Sequence, residues 1–382
     1  MTIRNEDSAK IRVMVVDDSA LMRKLISEIL KKDPELDVVS TAMDGSFALG
    51  KIPHARPDVI TMDLDMPRMD GLTALRHIVR DYQIPVVLVS SLTTKGGHLT
   101  LDGLALGAVD FVTKPHDAIS IHIHEVAQEL ILKVKTAGRA SVSKIRVQHD
   151  QQLLLKKPYN AKKDCHEQNI RKVVAIGIST GGPNAISTFL PRIPKDFPAA
   201  ILIVQHMPEG FTGLFAERLD QICKIRVKEA RDGDRLYSGT ALIAPGNHHL
   251  KVAKVSRDCV AVLSSSVPVN GHRPSVDVLF NSVADEYGAD CIGVIMTGMG
   301  EDGARGLGRI KMSGGYTMGQ SEDSCVVYGM PKIAQEMGHV QEVVSLDNLP
   351  ERLLSIMSDK SVYSGRAGKA FDVLSEASAK CT

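Results

Sequence analysis

The chain has 382 residues, more than one hydrophobic core usually serves, so two domains are expected. Hydrophobic residues make up 43% and charged residues 24% of the sequence, which is typical of a globular protein and excludes a disordered or fibrous one. A formal net charge of +1, the absence of tryptophan and an aromatic content of 4% argue against a protein that binds nucleic acid.

The cysteines and the N-terminus indicate the compartment. The six cysteines are scattered without a CxxC pair, which argues against a zinc finger and for reduced thiols. The first ten residues are polar and charged, unlike a signal peptide. Since no apolar run approaches the roughly 18 residues of a membrane span, we expect a cytoplasmic protein without membrane insertion.

Residues 11–115 alternate short apolar runs with amphipathic stretches. Apolar residues at helical spacing predict helices over 20–32, 71–82 and 117 to about 135. This alternation predicts a first α/β domain over 1–135, with a five-stranded parallel sheet covered by helices on both faces. The predicted strands are short and rich in β-branched residues: 11–16, 38–42, 59–62, 85–89 and 111–113.

A basic, weakly periodic stretch separates this domain from a second one. Residues 138–170 hold seven Lys or Arg against three Asp or Glu. We predict a solvated linker over 136–170, with a basic interaction tail as the alternative.

Strand–helix alternation resumes at residue 171. It predicts a second, doubly wound and mostly parallel α/β domain over 171–357, followed by a flexible polar tail over 358–382. Its predicted strands are 173–178, 200–205, 240–244, 291–297 and 316–319.

Polar residues follow four predicted strands of the first domain: Asp17 and Asp18, Asp63, Ser90, and Lys114. Ligands of open α/β sheets bind at the carboxyl ends of the strands. Three carboxylates at one edge would repel each other unless a cation such as Mg²⁺ neutralised them, and a lysine there suits a phosphoryl group. Singly, each residue has another explanation: Asp18 as a helix cap, Lys114 as a solvated cation, Ser90 as a strand end.

Together with the Met-Pro-x-Met-Asp-Gly stretch over 66–71 and the Lys114-Pro115 pair, these residues resemble the receiver domain of bacterial response regulators. The resemblance covers residues 11 to about 130 and implies a flavodoxin-like fold. It implies roles for individual residues: Asp63 as phosphoacceptor, Asp17, Asp18 and Asp63 as Mg²⁺ ligands, Ser90 and Lys114 as phosphoryl sensors, and Phe111 as a switch aromatic.

In the second domain, a strand runs into Gly177-Ile178-Ser179-Thr180-Gly181, a match to G-x-S-x-G. A serine on such a turn is exposed, close to amide donors and to a helix N-terminus. The alternative is a glycine turn with a capping serine. A phosphate-binding P-loop fits less well, because no lysine follows the glycines and Pro183 removes an amide.

A nucleophilic serine needs a base and a group that orients the base. His206 and Asp302 each follow a predicted strand, so both should lie at the same edge as Ser179. The chain order of an α/β-hydrolase would instead make His339 the base. The order found here predicts an unrelated fold with the same constellation.

The stretch 298–303 is also a literal G-x-G-x-x-G, and Glu322 and Asp323 follow at the spacing of a dinucleotide site. Glu301 and Asp302 argue against that alternative, because they would set two negative charges where a pyrophosphate should bind.

The second domain resembles the catalytic domain of chemotaxis response-regulator protein-glutamate methylesterases. This resemblance implies Ser179 as nucleophile, His206 as general base and Asp302 as its orienting group. It also implies an oxyanion donor at the Met299 backbone, with Thr180 assisting. The matching stretches are 176–183, 205–212, 243–246, 273–280 and 296–303.

The two resemblances imply a hydrolase that removes methyl esters from glutamates of chemoreceptors, deamidates glutamines there, and is activated when a histidine kinase supplies the phosphoryl group. Mg²⁺ would serve the receiver and no cofactor the hydrolysis. The alternatives are a regulator that acts by contact alone and a DNA-binding response regulator. The latter would need a helix-turn-helix or basic module that the sequence lacks.

Overall fold

The computed structural model describes residues 10–91, 93–114, 123–140, 172–256 and 258–358. These residues form two compact units, each built around a parallel sheet. Pro115, the linker beyond residue 140 and the tail beyond residue 358 lie outside the described residues.

The sheet of the first domain has the order β2-β1-β3-β4-β5, and every neighbouring pair is parallel. This confirms the predicted five-stranded parallel sheet. The chain moves outward from β1 to β2 on one side and from β3 to β5 on the other, so the crevice between β1 and β3 is the switch point where ligands bind. The strands are β1 (Ile11–Val16), β2 (Leu36–Ala42), β3 (Val59–Asp63), β4 (Val86–Ser90) and β5 (Asp110–Thr113).

Four helices of this domain begin with a side-chain cap. Ser19, Asp44, Asp70 and Thr93 each accept a hydrogen bond from the backbone N–H three residues later. Because Ser19 caps the first helix, the capping explanation for Asp18 is wrong. The helices are α1 (Ala20–Leu30), α2 (Gly45–Ala55), α3 (Gly71–His77, continued by a π-helical turn over Ile78–Tyr82), α4 (Thr94–Ala105) and α5 (Ile123–Gly138).

Helices α2 and α4 were not predicted, because α2 contains Gly50 and Pro53 and α4 contains three glycines. Burial of their apolar faces stabilises them instead. Helix α5 ends three residues after the predicted end at residue 135, since Ala137 is buried and Gly138 packs against Ile11.

The sheet of the second domain has the order β14-β13-β12-β6-β7-β9-β8, again with all pairs parallel. An antiparallel hairpin of β10 and β11 accompanies it. The predicted mostly parallel architecture is confirmed. The strands are β6 (Val173–Ile178), β7 (Ala200–Gln205), β8 (Arg226–Glu229), β9 (Thr240–Ile243), β10 (His249–Val255), β11 (Asp258–Ser264), β12 (Cys291–Ile295), β13 (Tyr316–Gln320) and β14 (Glu342–Val344).

The strands that sequence analysis missed are the two sheet edges, β8 and β14, and the hairpin β10–β11. Edge strands carry polar residues because one side of the strand faces solvent, which removes the apolar pattern. The second switch point lies between β6 and β12, since the chain continues to β7 on one side and to β13 on the other.

Six helices complete the described part of the second domain, with short 3-10 turns over Leu190–Arg192, Gly288–Asp290 and Glu322–Ser324. They are α6 (Gly182–Phe189), α7 (Phe211–Ile222), α8 (Val276–Tyr287), α9 (Ala304–Met312), α10 (Met330–Glu336) and α11 (Leu349–Ser358).

Candidate functional site

Three carboxylates meet at the switch point of the first domain. Asp17 and Asp18 follow β1, Asp63 ends β3, and one oxygen of each lies within 4.8 Å of the others. Asp17 and Asp63 are buried and Asp18 is exposed. Backbone N–H groups hold the two buried carboxylates, Ser19 N at 2.8 Å from Asp17 Oδ1 and Leu64 N at 2.8 Å from Asp63 Oδ1.

Lys114 contacts both buried carboxylates. Its Nζ lies 2.9 Å from Asp17 Oδ2 and 2.8 Å from Asp63 Oδ2. Burial raises the pKa of Asp63, and although the hydrogen bond from Lys114 opposes this, the pKa stays above its ordinary value. Burial alone would lower the pKa of Lys114, but its bonds to Asp63 and Asp17 reverse the direction.

The donor set fits a hard divalent cation. Three carboxylates against one ammonium leave an excess of negative charge, and carboxylate oxygens are the ligands Mg²⁺ prefers. Asp17 Oδ2 is buried and, beyond its ion pair with Lys114, accepts no directed hydrogen bond from the described residues. This is an oxygen that a cation would satisfy.

Ser90 and Phe111 lie on the neighbouring strands. Val89 is paired with Asp63, so Ser90 is the next residue along β4. Ser90 Oγ accepts a hydrogen bond from Thr100 Oγ1 at 2.6 Å. The Phe111 side chain is buried, and Lys133 Nζ lies 5.3 Å from the ring centroid. The described candidate residues of the first domain therefore lie at the carboxyl ends of β1, β3, β4 and β5, except Phe111, which lies within β5.

The second candidate site is built on adjacent parallel strands. Ile178 and Gln205 are paired and end β6 and β7, so Ser179 and His206 are the first residues after these two strands. His206 N donates to Ile178 O at 3.1 Å. Ser179 N donates to Thr297 O, beyond β12, at 3.0 Å. The serine backbone is thus fixed at the switch point.

His206 and Asp302 form a buried pair. His206 Nε2 lies 2.9 Å from Asp302 Oδ2. The second ring nitrogen, Nδ1, is buried and has no hydrogen-bond partner among the residues that the structure describes. The structure therefore brings the histidine and the aspartate together and places Ser179 at the end of the neighbouring strand, without a hydrogen bond from its hydroxyl to Nδ1. Nδ1 is the nitrogen left to accept a proton.

Asp302 is 1% exposed and lies at the N-terminus of α8. Burial alone would raise its pKa, but the hydrogen bonds from His206, Asn270 and Val276 outweigh it and hold the pKa of Asp302 well below its ordinary value. The carboxylate is therefore ionised and able to stabilise an imidazolium. Its further donors are Asn270 Nδ2 (2.9 Å), Ser275 Oγ (2.7 Å), Val276 N (2.7 Å) and Asp277 N (3.2 Å).

Sequence analysis did not single out four residues around this pair: Asn270, His272, Ser275 and His249. The His272 ring stacks on His206, with centroids 3.8 Å apart and an interplanar angle of 11°. His249 Nδ1 accepts from Ser275 N at 3.1 Å, and its Nε2 lies 3.1 Å from Val267 O. The Asn270-Gly271 dipeptide was a turn signal that marked this region.

The loop after β12 brings Gly298 close to Ser179. A Cβ added at Gly298 would lie 2.4 Å from Met330 Sδ and 2.7 Å from Ser179 Cβ, so the position has no room for a side chain, and Met299 is the next residue. Thr180 follows Ser179 directly. The G-x-G-x-x-G alternative does not fit, because Asp302 is buried inside this loop and bonded to His206.

His339, the base expected for an α/β-hydrolase, lies elsewhere. Its Nδ1 is 2.8 Å from the backbone oxygen of Ala304, at the start of α9. The order serine, acid, histidine that is typical of an α/β-hydrolase therefore does not describe this site, in which His206 pairs with Asp302.

Two family models match the chain: "CheB methylesterase" over residues 174–353 and "Response regulator receiver domain" over residues 13–124. The chain is 52% identical over 349 residues to protein-glutamate methylesterase/protein-glutamine glutaminase 2 of Koribacter versatilis, covering 90% of this chain and 95% of that protein. It is 45% identical to the protein-glutamate methylesterase/protein-glutamine glutaminase of Syntrophotalea carbinolica, covering 92% and 99%.

Among solved structures, the Thermotoga maritima CheB methylesterase catalytic domain is 41% identical, covering 48% of this chain and 98% of that chain, with a TM-score of 0.48. Across the described residues, no helix is both long and apolar enough to cross a membrane.

The 2-1-3-4-5 sheet with its acidic cluster, joined in one chain to an α/β domain with a buried His–Asp pair, defines a response regulator with an enzymatic output domain. Both resemblances predicted from the sequence are confirmed. The chain belongs to the receiver-containing CheB methylesterase family, whose curated relatives are named protein-glutamate methylesterase/protein-glutamine glutaminase.

Proposed function

We propose that this protein hydrolyses the γ-methyl esters of glutamate residues on the cytoplasmic helices of chemoreceptors, with Ser179 as the nucleophile. The observation that carries this proposal is the buried His206–Asp302 pair beside Ser179 at the switch point of the second sheet. A serine, a base and an orienting carboxylate on neighbouring strand ends suit acyl transfer.

In the proposed reaction, Ser179 Oγ attacks the ester carbonyl while His206 Nδ1 accepts its proton. Asp302 holds the Nε2–H and stabilises the imidazolium. The Met299 N–H, assisted by Thr180, stabilises the tetrahedral oxyanion, at about 3 kcal/mol per donor. The C–O bond then breaks, and methoxide leaves as methanol with the proton from Nδ1.

Water completes the cycle. Nδ1 takes a proton from the water, whose oxygen attacks the acyl-enzyme, and the proton returns to Ser179 Oγ as the glutamate carboxylate is released. Deamidation of a glutamine follows the same steps, with ammonia leaving in place of methanol. Neither sequence requires a metal ion.

We further propose that a histidine kinase supplies a phosphoryl group to Asp63 and that this activates the hydrolase. Asp17, Asp18 and Asp63 would hold Mg²⁺, which when bound neutralises negative charge around the phosphoryl oxygens. Lys114 and Ser90 would bind those oxygens, and Phe111 would act as the switch aromatic. The physical basis is the added charge and acceptor oxygens of a phosphoaspartate, which compete for the Lys114 ammonium that now bridges Asp17 and Asp63.

The test is methanol release from methylated receptor, with and without acetyl phosphate and Mg²⁺. Wild type should release methanol faster with the phosphodonor, Ser179→Ala should release none, and Asp63→Asn should keep the basal rate without stimulation. Unchanged release from Ser179→Ala would overturn the nucleophile assignment. No release from phosphorylated wild type would favour a regulator that acts by contact alone.

A further inference from the structure

We propose that the turn at Asn270-Gly271 is a positioning element for the His206–Asp302 pair, in which Asn270 fixes the carboxylate and His272 fixes the imidazole. This inference rests on the proposed function, because it assigns these residues to the base of that reaction. Neither residue is proposed to touch the substrate.

The backbone of the turn sets both side chains at once. Val269 and His272 exchange two hydrogen bonds, Val269 N to His272 O at 3.0 Å and His272 N to Val269 O at 2.9 Å. Between them, Asn270 and Gly271 have φ angles of 52° and 77°. This is the two-residue hairpin loop in which both central residues need positive φ, a conformation that Asn and Gly adopt most readily.

Asn270 bridges two buried carboxylates. Its Nδ2 donates to Asp302 Oδ1 at 2.9 Å and to Asp277 Oδ2 at 2.8 Å. Both amide hydrogens are thereby used. The two acceptors are carboxylates of the same charge, and both are shielded from solvent. Burial raises the pKa of Asp277, and the charge of Asp302 acts in the same direction. The amide therefore offsets repulsion between the carboxylates and keeps Asp302 Oδ2 directed at His206 Nε2.

His272 acts on the other member of the pair. Its ring covers one face of the His206 imidazole at 3.8 Å, nearly parallel to it. A flat group stacked at this distance blocks rotation of the imidazole out of its plane, so Nε2 stays on Asp302 and Nδ1 keeps its direction. One turn thus restrains the ring by stacking and the carboxylate by hydrogen bonds.

The test compares variants that keep the backbone. Asn270→Gly removes the amide and retains a residue suited to positive φ. Ser256→Gly is the matched control, since Ser256 has a φ of 59° in an exposed turn of the same domain. For the stack, His272→Ala removes the ring and His272→Phe restores a flat one. The readouts on the full chain are the labelling rate of Ser179 by a fluorophosphonate and the kcat and KM of methanol release.

Asn270→Gly and His272→Ala should each lower the labelling rate and kcat about tenfold or more with little change in KM, because a misplacement of about 1 Å costs up to about 100-fold. His272→Phe should recover most of the rate, and Ser256→Gly should match wild type. In a His206→Ala background, Asn270→Gly should have no further effect on the residual rate, since it acts through that histidine.

Wild-type labelling rates in both Asn270→Gly and His272→Ala would overturn the inference, as would equal additional losses in the His206→Ala background. Failure of the proposed function is distinguishable, because wild type itself would then not be labelled at Ser179.

Discussion

The imidazole of His206 contacts Asp302 through Nε2, at 2.9 Å, and keeps Nδ1 on the other side of the ring. In a chymotrypsin-type triad the two nitrogens have the opposite duties, with Nδ1 on the carboxylate and Nε2 on the serine. The arrangement follows from the positions of the partners: Ser179 follows β6, the strand next to the one that His206 follows, whereas Asp302 comes from the loop beyond β12.

Asp302→Asn should lower kcat by about 10⁴-fold, the size of the effect when the carboxylate of a serine-protease triad is replaced in this way. An amide neither stabilises the imidazolium nor selects the tautomer that leaves Nδ1 free of hydrogen. Methanol release measures the effect. Asp285→Asn is the control, because Asp285 is an exposed aspartate whose carboxylate pairs with Arg309 at 2.8 Å. A loss below tenfold in Asp302→Asn would contradict the assigned role.

Gly298→Ala should abolish labelling of Ser179 and methanol release together. The added methyl would lie 2.4 Å from Met330 Sδ and 2.7 Å from Ser179 Cβ, so Met330 must move, together with either the serine or the loop carrying Met299. Gly50→Ala is the matched control, since a Cβ there meets nothing within 4 Å and alanine favours the helix by about 1 kcal/mol. An active Gly298→Ala enzyme would show that the loop tolerates displacement and plays no part in the reaction.

We expect the free energy of unfolding of the second domain to fall in mild acid, because His249 is buried in its neutral form. Burial lowers its pKa below the ordinary 6.5, so the native state keeps it neutral while the unfolded chain takes up a proton. Its contribution is fully present above about pH 6.5 and is lost as the pH falls from there toward the lower native pKa.

Urea unfolding at pH 7.5 and pH 5.5 measures this loss. His249→Asn keeps an acceptor for Ser275 N and cannot titrate, so the midpoint of its second domain should depend less on pH than that of wild type. His248→Asn, at the neighbouring position, is the control variant that leaves His249 in place. An equal pH dependence in His249→Asn and wild type would contradict the prediction.

Lys114→Ala should bind Mg²⁺ more tightly than wild type does, by several-fold. The Lys114 ammonium lies within 2.9 Å of carboxylate oxygens of both Asp17 and Asp63. Removing this positive charge ends its repulsion of the cation and its competition for the two carboxylates. Calorimetric titration gives the Kd, with Lys95→Ala as the control because Lys95 pairs with the exposed Asp65. The same variant should lose activation by acetyl phosphate. Unchanged or weaker Mg²⁺ binding would contradict the electrostatic argument.

Strands that are buried on both faces were predictable. The bounds of β1, β6 and β7 agree with the predicted 11–16, 173–178 and 200–205, because a central parallel strand is apolar at nearly every position. The edge strands β8 and β14 of the second sheet and the glycine-rich helix α4 were not predicted, because their stability comes from neighbours that are distant in sequence.

The sequence by itself determined which reactive residues follow which strands, and the carboxyl ends of parallel strands always meet at one edge. For that reason Ser179, His206 and Asp302 could be assigned to one site before the fold was described. Only the tertiary structure decided which nitrogen of His206 contacts Asp302. It also decided that Asn270 donates to Asp302 and that the His272 ring stacks on His206, because these contacts depend on strand register and on a turn whose side-chain partners lie in other parts of the chain.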